Sequence, residues 1–156
     1  DVVAFLANEW NVTLIRAAMG VSPEIGGYIQ DPLANKARVR AVCDAALEFG
    51  LYFIIDWHTH EAEEETAAAL GFFVEMVSIY GEYPNVIFEI YNEPTVSDWV
   101  EDIKPYHEAV IEVIRRTGNQ NLILLGNPVW DQEIHEAAAD PVLGFTNLAY
   151  VFHFYA

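Results

Sequence analysis

The tripeptide Asn92-Glu93-Pro94 ends an apolar run at 86–91. No structural need calls for a carboxyl group at the exit of a buried strand, and Pro94 lacks the N–H that further strand pairing would use. The C-terminal end of a parallel strand is where α/β barrels keep their reacting groups. Arg16, His58 and His153 stand at the ends of three other apolar runs. A carboxyl that gives and takes a proton, beside an amide suited to a hydroxyl, fits acid–base hydrolysis of a glycoside. That reaction uses two carboxyl groups flanking the bond, one of them protonated at working pH.

The elements that must position these groups alternate along the chain. β-rich runs lie at 11–17, 51–57, 85–91, 121–125 and 148–154. Between them, Asp31 and Pro32 open a helix that runs to Phe49 and stops at Gly50. Leu70, Phe73, Val74 and Val77 form one stripe within 61–80, and Ile103, Val110, Ile111 and Ile114 another within 99–117. A short helix is expected at 131–139, and 1–9 reads as the tail of an earlier helix. Strand–helix alternation with nearly continuous apolar strands implies a parallel sheet with helices outside it. No Gly-x-Gly-x-x-Gly follows a strand, which removes the usual argument for a dinucleotide fold. Polar residues at four strand ends instead favour a (β/α)8 TIM barrel. Five strands predict an incomplete barrel, about strands 2 to 6, with residues 1–156 as a partial catalytic domain truncated at both ends. Two exposed sheet edges would then favour self-association.

Several stretches carry a resemblance. They are Ile15-Arg16-Ala17-Ala18-Met19, Gly26-Gly27-Tyr28-Ile29, Ile54-Ile55-Asp56-Trp57-His58, Tyr83-Pro84-Asn85-Val86-Ile87, Glu89-Ile90-Tyr91-Asn92-Glu93-Pro94, Ile103-Lys104-Pro105-Tyr106 and His153-Phe154-Tyr155-Ala156. In this order the chain resembles the central portion of a glycoside hydrolase family 5 endoglucanase, a cellulase. The resemblance implies endo-hydrolysis of β-1,4-glucosidic bonds with retention, no cofactor, a β-glucan substrate and a secreted enzyme. It makes Glu93 the general acid/base and gives Asn92 the 2-hydroxyl of the sugar. It has Arg16 hold the nucleophilic carboxylate, and has His58, His153 and Tyr155 line the subsite or orient the carboxylates. Tyr28 and Trp130 match aromatic platforms. The family's nucleophile, a glutamate on the seventh strand, would lie beyond Ala156, so this segment alone is expected to be inactive.

Other readings compete locally. His58, His60 and His153 could hold zinc in a metal-dependent hydrolase, and a non-catalytic carbohydrate-binding fragment is a further alternative. Asp56 lies two residues before His58 and Glu89 four before Glu93, so both should point into the barrel beneath the site, with Arg16 and His58 as partners. Trp57 is expected at the rim as a flat surface for sugar, and Trp99 fits either core or rim. His107 belongs to an apolar stripe and reads as a satisfied core histidine; His135 is placed near the mouth. Glu61, Glu63, Glu64 and Glu65 suit the positive end of a helix. Cys43, the single cysteine, reads as buried and inert.

With 24 Asp and Glu against 7 Lys and Arg, the formal charge is -17. Nucleic acid and anionic membrane are therefore poor partners, whereas neutral polysaccharide is acceptable. The chain start lacks the basic region of a signal peptide.

Overall fold

The computed structural model describes residues 2–155. Asp1 and Ala156, the outermost residues of the first expected helix and of the last matching stretch, lie outside them. The elements run α1 (Val2–Glu9), β1 (Leu14–Gly20), α2 (Pro32–Glu48), β2 (Tyr52–His58), α3 (Thr66–Tyr80), β3 (Val86–Glu89), α4 (Lys104–Arg116), β4 (Ile123–Leu125), α5 (Pro128–Asp131), α6 (Ile134–Ala139) and β5 (Leu148–Tyr150). All strand pairs are parallel, and the sheet order is β1-β2-β3-β4-β5. Each strand thus pairs with the next after a crossover, as in a barrel wall over about strands 2 to 6.

Local chemistry explains most boundaries. Asp31 accepts a hydrogen bond from the Ala34 N–H at 3.0 Å, with Pro32 at the first helical position of α2. Asp98 accepts from the N–H groups of Val100 and Glu101, opening a π-turn (Trp99–Ile103) ahead of α4. The expected helix at 61–80 divides into a 3-10 turn (Ala62–Glu65) and α3. Its buried face is Ala69, Phe72, Phe73, Met76, Val77 and Tyr80, while Val74 is 45% exposed, contrary to the expected stripe. The α4 stripe of Val110, Ile111 and Ile114 is buried as expected, together with Ile103 in the preceding turn.

The strands are displaced from the expected runs. Asn11 takes a left-handed φ of 53°, so β1 starts only at Leu14 and continues to Gly20. Arg16 is consequently mid-strand, opposite Ile54, rather than at a strand exit. The last strand stops at Tyr150, because the following backbone turns onto its neighbour: Val151 N–H donates to Leu125 O at 2.9 Å and His153 N–H to Asp131 O at 3.1 Å.

The core lies between sheet and helices. Along β2, Phe53, Ile55 and Trp57 are fully buried on the helix side, and the alternation puts Ile54, Asp56 and His58 on the barrel side. Trp57 packs on Tyr28, Phe72 and Phe73, so it is a core residue and not a rim platform. Trp99 is buried, donating its indole N–H to Asp140 O at 3.0 Å. Cys43 is buried, and desolvation pushes its thiol up to about 12, which removes it from chemistry. His107 is fully buried against Tyr91, Trp99 and Tyr106. Neither of its ring nitrogens has a hydrogen-bond partner among the described residues, so the expected satisfied histidine is instead an unsatisfied one, held neutral by desolvation that drives it down to about 3.

Candidate active site

One guanidinium organises the floor of the site. Asp56 on β2 and Glu89 on β3 are register partners, so two buried carboxylates sit side by side. Arg16, reaching from β1, joins them: Nε donates to Glu89 Oε2 at 2.7 Å, Nη2 to Glu89 Oε1 at 2.9 Å, and Nη2 lies 2.9 Å from Asp56 Oδ2. Nη2 also donates to Asn92 Oδ1 at 2.7 Å. That bond orients the buried Asn92 amide, whose Nδ2 has no partner among the described residues. Burial alone would lower the proton affinity of Arg16, but Glu89, Asp56 and Glu93 outweigh it and raise it. Asp56 is raised by desolvation, against which His58 and Arg16 pull it back. His58 Nδ1 lies 2.7 Å from Asp56 Oδ2, an interaction that raises the histidine above its ordinary value.

Glu93 stands above this floor. Its backbone is propped by the loop after β2: Glu93 N–H donates to Thr59 O at 3.4 Å, and His60 Nδ1 lies 2.8 Å from Glu93 O. Its carboxylate Oε1 meets His153 Nδ1 at 2.7 Å and accepts from the Tyr155 hydroxyl. Burial pulls the Glu93 carboxyl up, but the hydrogen bonds from Tyr155 and His153 and the nearby imidazoles hold it net below the ordinary carboxylate value. Glu93, Phe152, His153, Phe154 and Tyr155 line an open cleft of about 380 Å³. A second cleft, about 350 Å³, lies between Arg16–Gly20 and α2 residues Asn35, Arg38, Val39 and Val42, along the free edge of β1.

The next loop closes the rim. Gly126 follows β4, and a Cβ there would stand 2.7 Å from Tyr91 O and 3.0 Å from Pro94 Cδ, so only glycine lets this loop pass the Asn92-Glu93-Pro94 turn. Trp130 N–H then donates to Pro94 O at 2.9 Å. Val129, Trp130 and Asp131 are all left-handed, with φ of 54°, 54° and 59°, so α5 is a short left-handed coil and not a regular α-helix. This coil turns the Trp130 ring outward, 44% exposed, and the Asp131 carboxyl inward, fully buried.

The expected residues therefore divide. Glu93, His153 and Tyr155 meet at one rim, which Trp130 flanks with an open face, while Arg16 lies in the floor beneath, bonded to Asn92, and His58 is joined to that floor through Asp56. Tyr28 is half-buried, its ring edge-on to Trp57 and Phe72 with centroids 5.0 and 5.5 Å away, and belongs to packing more than to an open platform. Asp56 and Glu89 lie beneath the site with the expected partners. Arg16 is occupied by Glu89, Asp56 and Asn92. His58, His60 and His153 do not come together as a possible ligand group among the described residues. Glu63 leaves the expected acidic cap to accept from the Tyr91 hydroxyl at 2.6 Å and from Ser97. His135 is exposed on α6. Asp131 was not anticipated as a site residue, although a charged side chain in a loop after a barrel strand was the signal that singled out Glu93.

Comparison with known proteins agrees with this geometry. The cellulase (glycosyl hydrolase family 5) family profile matches residues 2–156. Endoglucanase Z of Dickeya dadantii is 51% identical over 156 residues, covering 100% of this chain and 36% of the relative. Endoglucanase A of Evansella cellulosilytica is 44% identical, covering 100% of this chain and 32% of the relative. A structure from Cytophaga hutchinsonii superposes with a TM-score of 0.92 at 46% identity, covering 97% of this chain and 49% of that one. The catalytic domain of Thermobifida fusca endoglucanase Cel5A gives 0.89 at 34% identity, covering 99% and 52%. The chain thus spans about a third of the length of these curated relatives and about half of these solved chains. From the profile, the relatives and the parallel wall that presents Glu93, this chain belongs to the cellulase family, glycosyl hydrolase family 5.

Proposed function

We propose that the protein to which this chain belongs is an endo-acting, retaining glycoside hydrolase that cleaves β-1,4-glucosidic bonds in cellulose or a related β-glucan. The observation that carries the reading is Glu93, a carboxyl at a strand exit that touches an open cleft and is held by His153 and Tyr155. The endoglucanase names of the relatives support it, and a Cel5A variant from Thermobifida fusca was solved in complex with cellotetraose, which supports the substrate class.

In the first step the protonated Glu93 would give its proton to the leaving glycosidic oxygen as a nucleophilic carboxylate attacks the anomeric carbon. In the second, the Glu93 carboxylate would take a proton from water as that water cleaves the glycosyl–enzyme bond. Retention places the two carboxyl groups about 5–5.5 Å apart, and we assign the nucleophile to sequence after Ala156. The free Asn92 Nδ2–H faces a sugar oxygen, and the outward Trp130 ring stacks on a pyranose. A polymer too large to cross a membrane must be met outside the cell, which supports secretion. No helix among the described residues is long and apolar enough to cross a membrane, and the net charge of -17 disfavours nucleic acid. The edges at β1 and β5 favour self-association of the isolated chain.

Reducing-sugar release from carboxymethylcellulose tests the proposal. The full-length protein should release sugar and its Glu93→Gln variant should not, and the purified 156-residue chain should release none. A full-length protein inert on all β-glucans would overturn the function, and activity of the isolated chain would overturn the assignment of a nucleophile beyond it.

A further inference from the structure

Asp131 is the buried carboxyl that the two-step scheme leaves without a task. It lies in a rim loop, where a carboxylate could reach water, yet the left-handed coil at Val129, Trp130 and Asp131 drives it inward. A non-glycine residue in that conformation costs on the order of 1–2 kcal/mol, so an arrangement of three is maintained by its surroundings. Asp131 Oδ1 accepts from Asn127 N–H at 2.5 Å. Oδ2 has no donor that satisfies it among the described residues. The polar group facing Oδ2 is His153 Nδ1 at 3.2 Å, and that nitrogen is aimed at Glu93 Oε1, 2.7 Å away. Reacting atoms of all three side chains lie within 4.8 Å of one another.

A ring nitrogen offers one proton or one lone pair. With the Nδ1 proton engaged by Glu93, an ionised Asp131 Oδ2 would be a buried, unmatched negative charge beside a second carboxylate, which is strongly unfavourable. The arrangement is relieved when the two carboxyls hold one proton between them. We propose that Asp131 is a positioning residue that shares a single proton with Glu93, the two carboxyls being coupled because both face the one His153 Nδ1–H, and so sets the charge state of the acid/base. The inference rests on the reading of Glu93 given above. In the resting site Asp131 is the acid and Glu93 the carboxylate. Nδ1 keeps its proton throughout: as Glu93 takes up a proton from water in the open cleft and Asp131 releases its own, the Nδ1–H turns from Glu93 Oε1 to Asp131 Oδ2. Asp131 ends as the carboxylate, Glu93 as the acid, and the imidazole is unchanged.

The surrounding charges agree with this distribution. Desolvation, then Glu93 and Glu89, push the Asp131 carboxyl up to about 8, while the Asn127 N–H and Arg16 pull it down. Glu93 is held below its ordinary value by Tyr155 and His153. Tyr155 itself is raised by its bond to Glu93 and by the charges of Glu93 and Asp131.

Asp131→Asn separates proton sharing from structure, because asparagine can still accept from Asn127 N–H but holds no acidic proton. Carboxyl-carbon NMR titration of the chain should show Asp131 titrating near 8, with the same step felt at the Glu93 carboxyl carbon, and the variant should lose that step. In the full-length protein the variant's basic limb of kcat/KM should move towards acid by about one pH unit, as expected when a coupled proton partner is lost. An Asp131 that titrates in the ordinary carboxylate range would overturn the proposal. So would a variant whose Glu93 titration is unchanged, or a step that shifts with zinc and returns with EDTA. Should Asp131→Asn fail to fold, the wild-type titration still decides. These titrations need no substrate, so an inactive protein would refute the proposed function without refuting the shared proton.

Discussion

Replacing Arg16 with leucine should destabilise the fold in a pH-dependent way. Arg16 makes two bonds to Glu89 and one contact with Asp56, and these carboxylates are 3% and 0% exposed. Removing one partner of a buried ion pair typically costs about 3–5 kcal/mol. The Arg16 side chain is 32% exposed, so solvent already moderates the interaction and the lower end, about 3 kcal/mol at pH 8, is expected. Asp56 is already raised by desolvation, and the Arg16 charge helps to lower it. Without Arg16 it rises further. A carboxyl raised above its unfolded value loses stability as pH increases, because the unfolded chain ionises first. The variant should therefore lose more stability than wild type between pH 5 and pH 8, so its deficit should be smallest at pH 5. Urea unfolding at the two pH values measures this. A deficit below about 1 kcal/mol, the range of an exposed pair, or one that is equal at both pH values, would refute a buried carboxylate pair held by one guanidinium.

Glu93→Gln in the full-length protein should lower kcat on cellulose by roughly 10²–10⁴-fold while cello-oligosaccharide binding, followed by calorimetry, persists. Tyr155→Phe removes a hydrogen bond that lowers Glu93, so the basic limb of its kcat/KM profile should move to higher pH. Trp130→Ala should weaken oligosaccharide binding by about 0.5–1.5 kcal/mol, the range of an aromatic stacking contact, with little change in the unfolding midpoint. Asp131 is raised to about 8, so wild-type stability should fall as pH rises from the ordinary carboxylate range towards that value, with a slope of about 1.4 kcal/mol per pH unit, and Asp131→Asn should flatten that slope in urea titrations.

The order of elements could be read from the sequence because alternation of apolar runs reports topology directly. The pairing of Asp56 and Glu89 with Arg16 was likewise legible, since period two puts them on one face and buried charge requires a partner. The same period would have placed Trp57 with Phe53 and Ile55 on the helix side, but its position next to His58 suggested the rim instead. Val74 lies off the buried stripe because that stripe runs through Ala69, Phe72, Phe73, Met76, Val77 and Tyr80, and in a helix apolar on several sides the sequence alone does not say which side faces the sheet. Asp131 was the residue least accessible to sequence reading. Its burial depends on three successive left-handed residues, none of them glycine, and no propensity scale anticipates such a coil.

Gly126 has a consequence for how the cleft meets a polymer. A Cβ there would stand against Tyr91 O and Pro94 Cδ, and Trp130 N–H is tied to Pro94 O, so the turn bearing Glu93 and the coil bearing the outward indole are held against each other. On the function proposed above, a glucan chain seated on that ring would meet Glu93 in one fixed pose. Where the sugar lay flat on the indole would then decide which glycosidic oxygen came within reach of Glu93, and the spacing between ring and carboxyl would act as a ruler for choosing the bond to be cut.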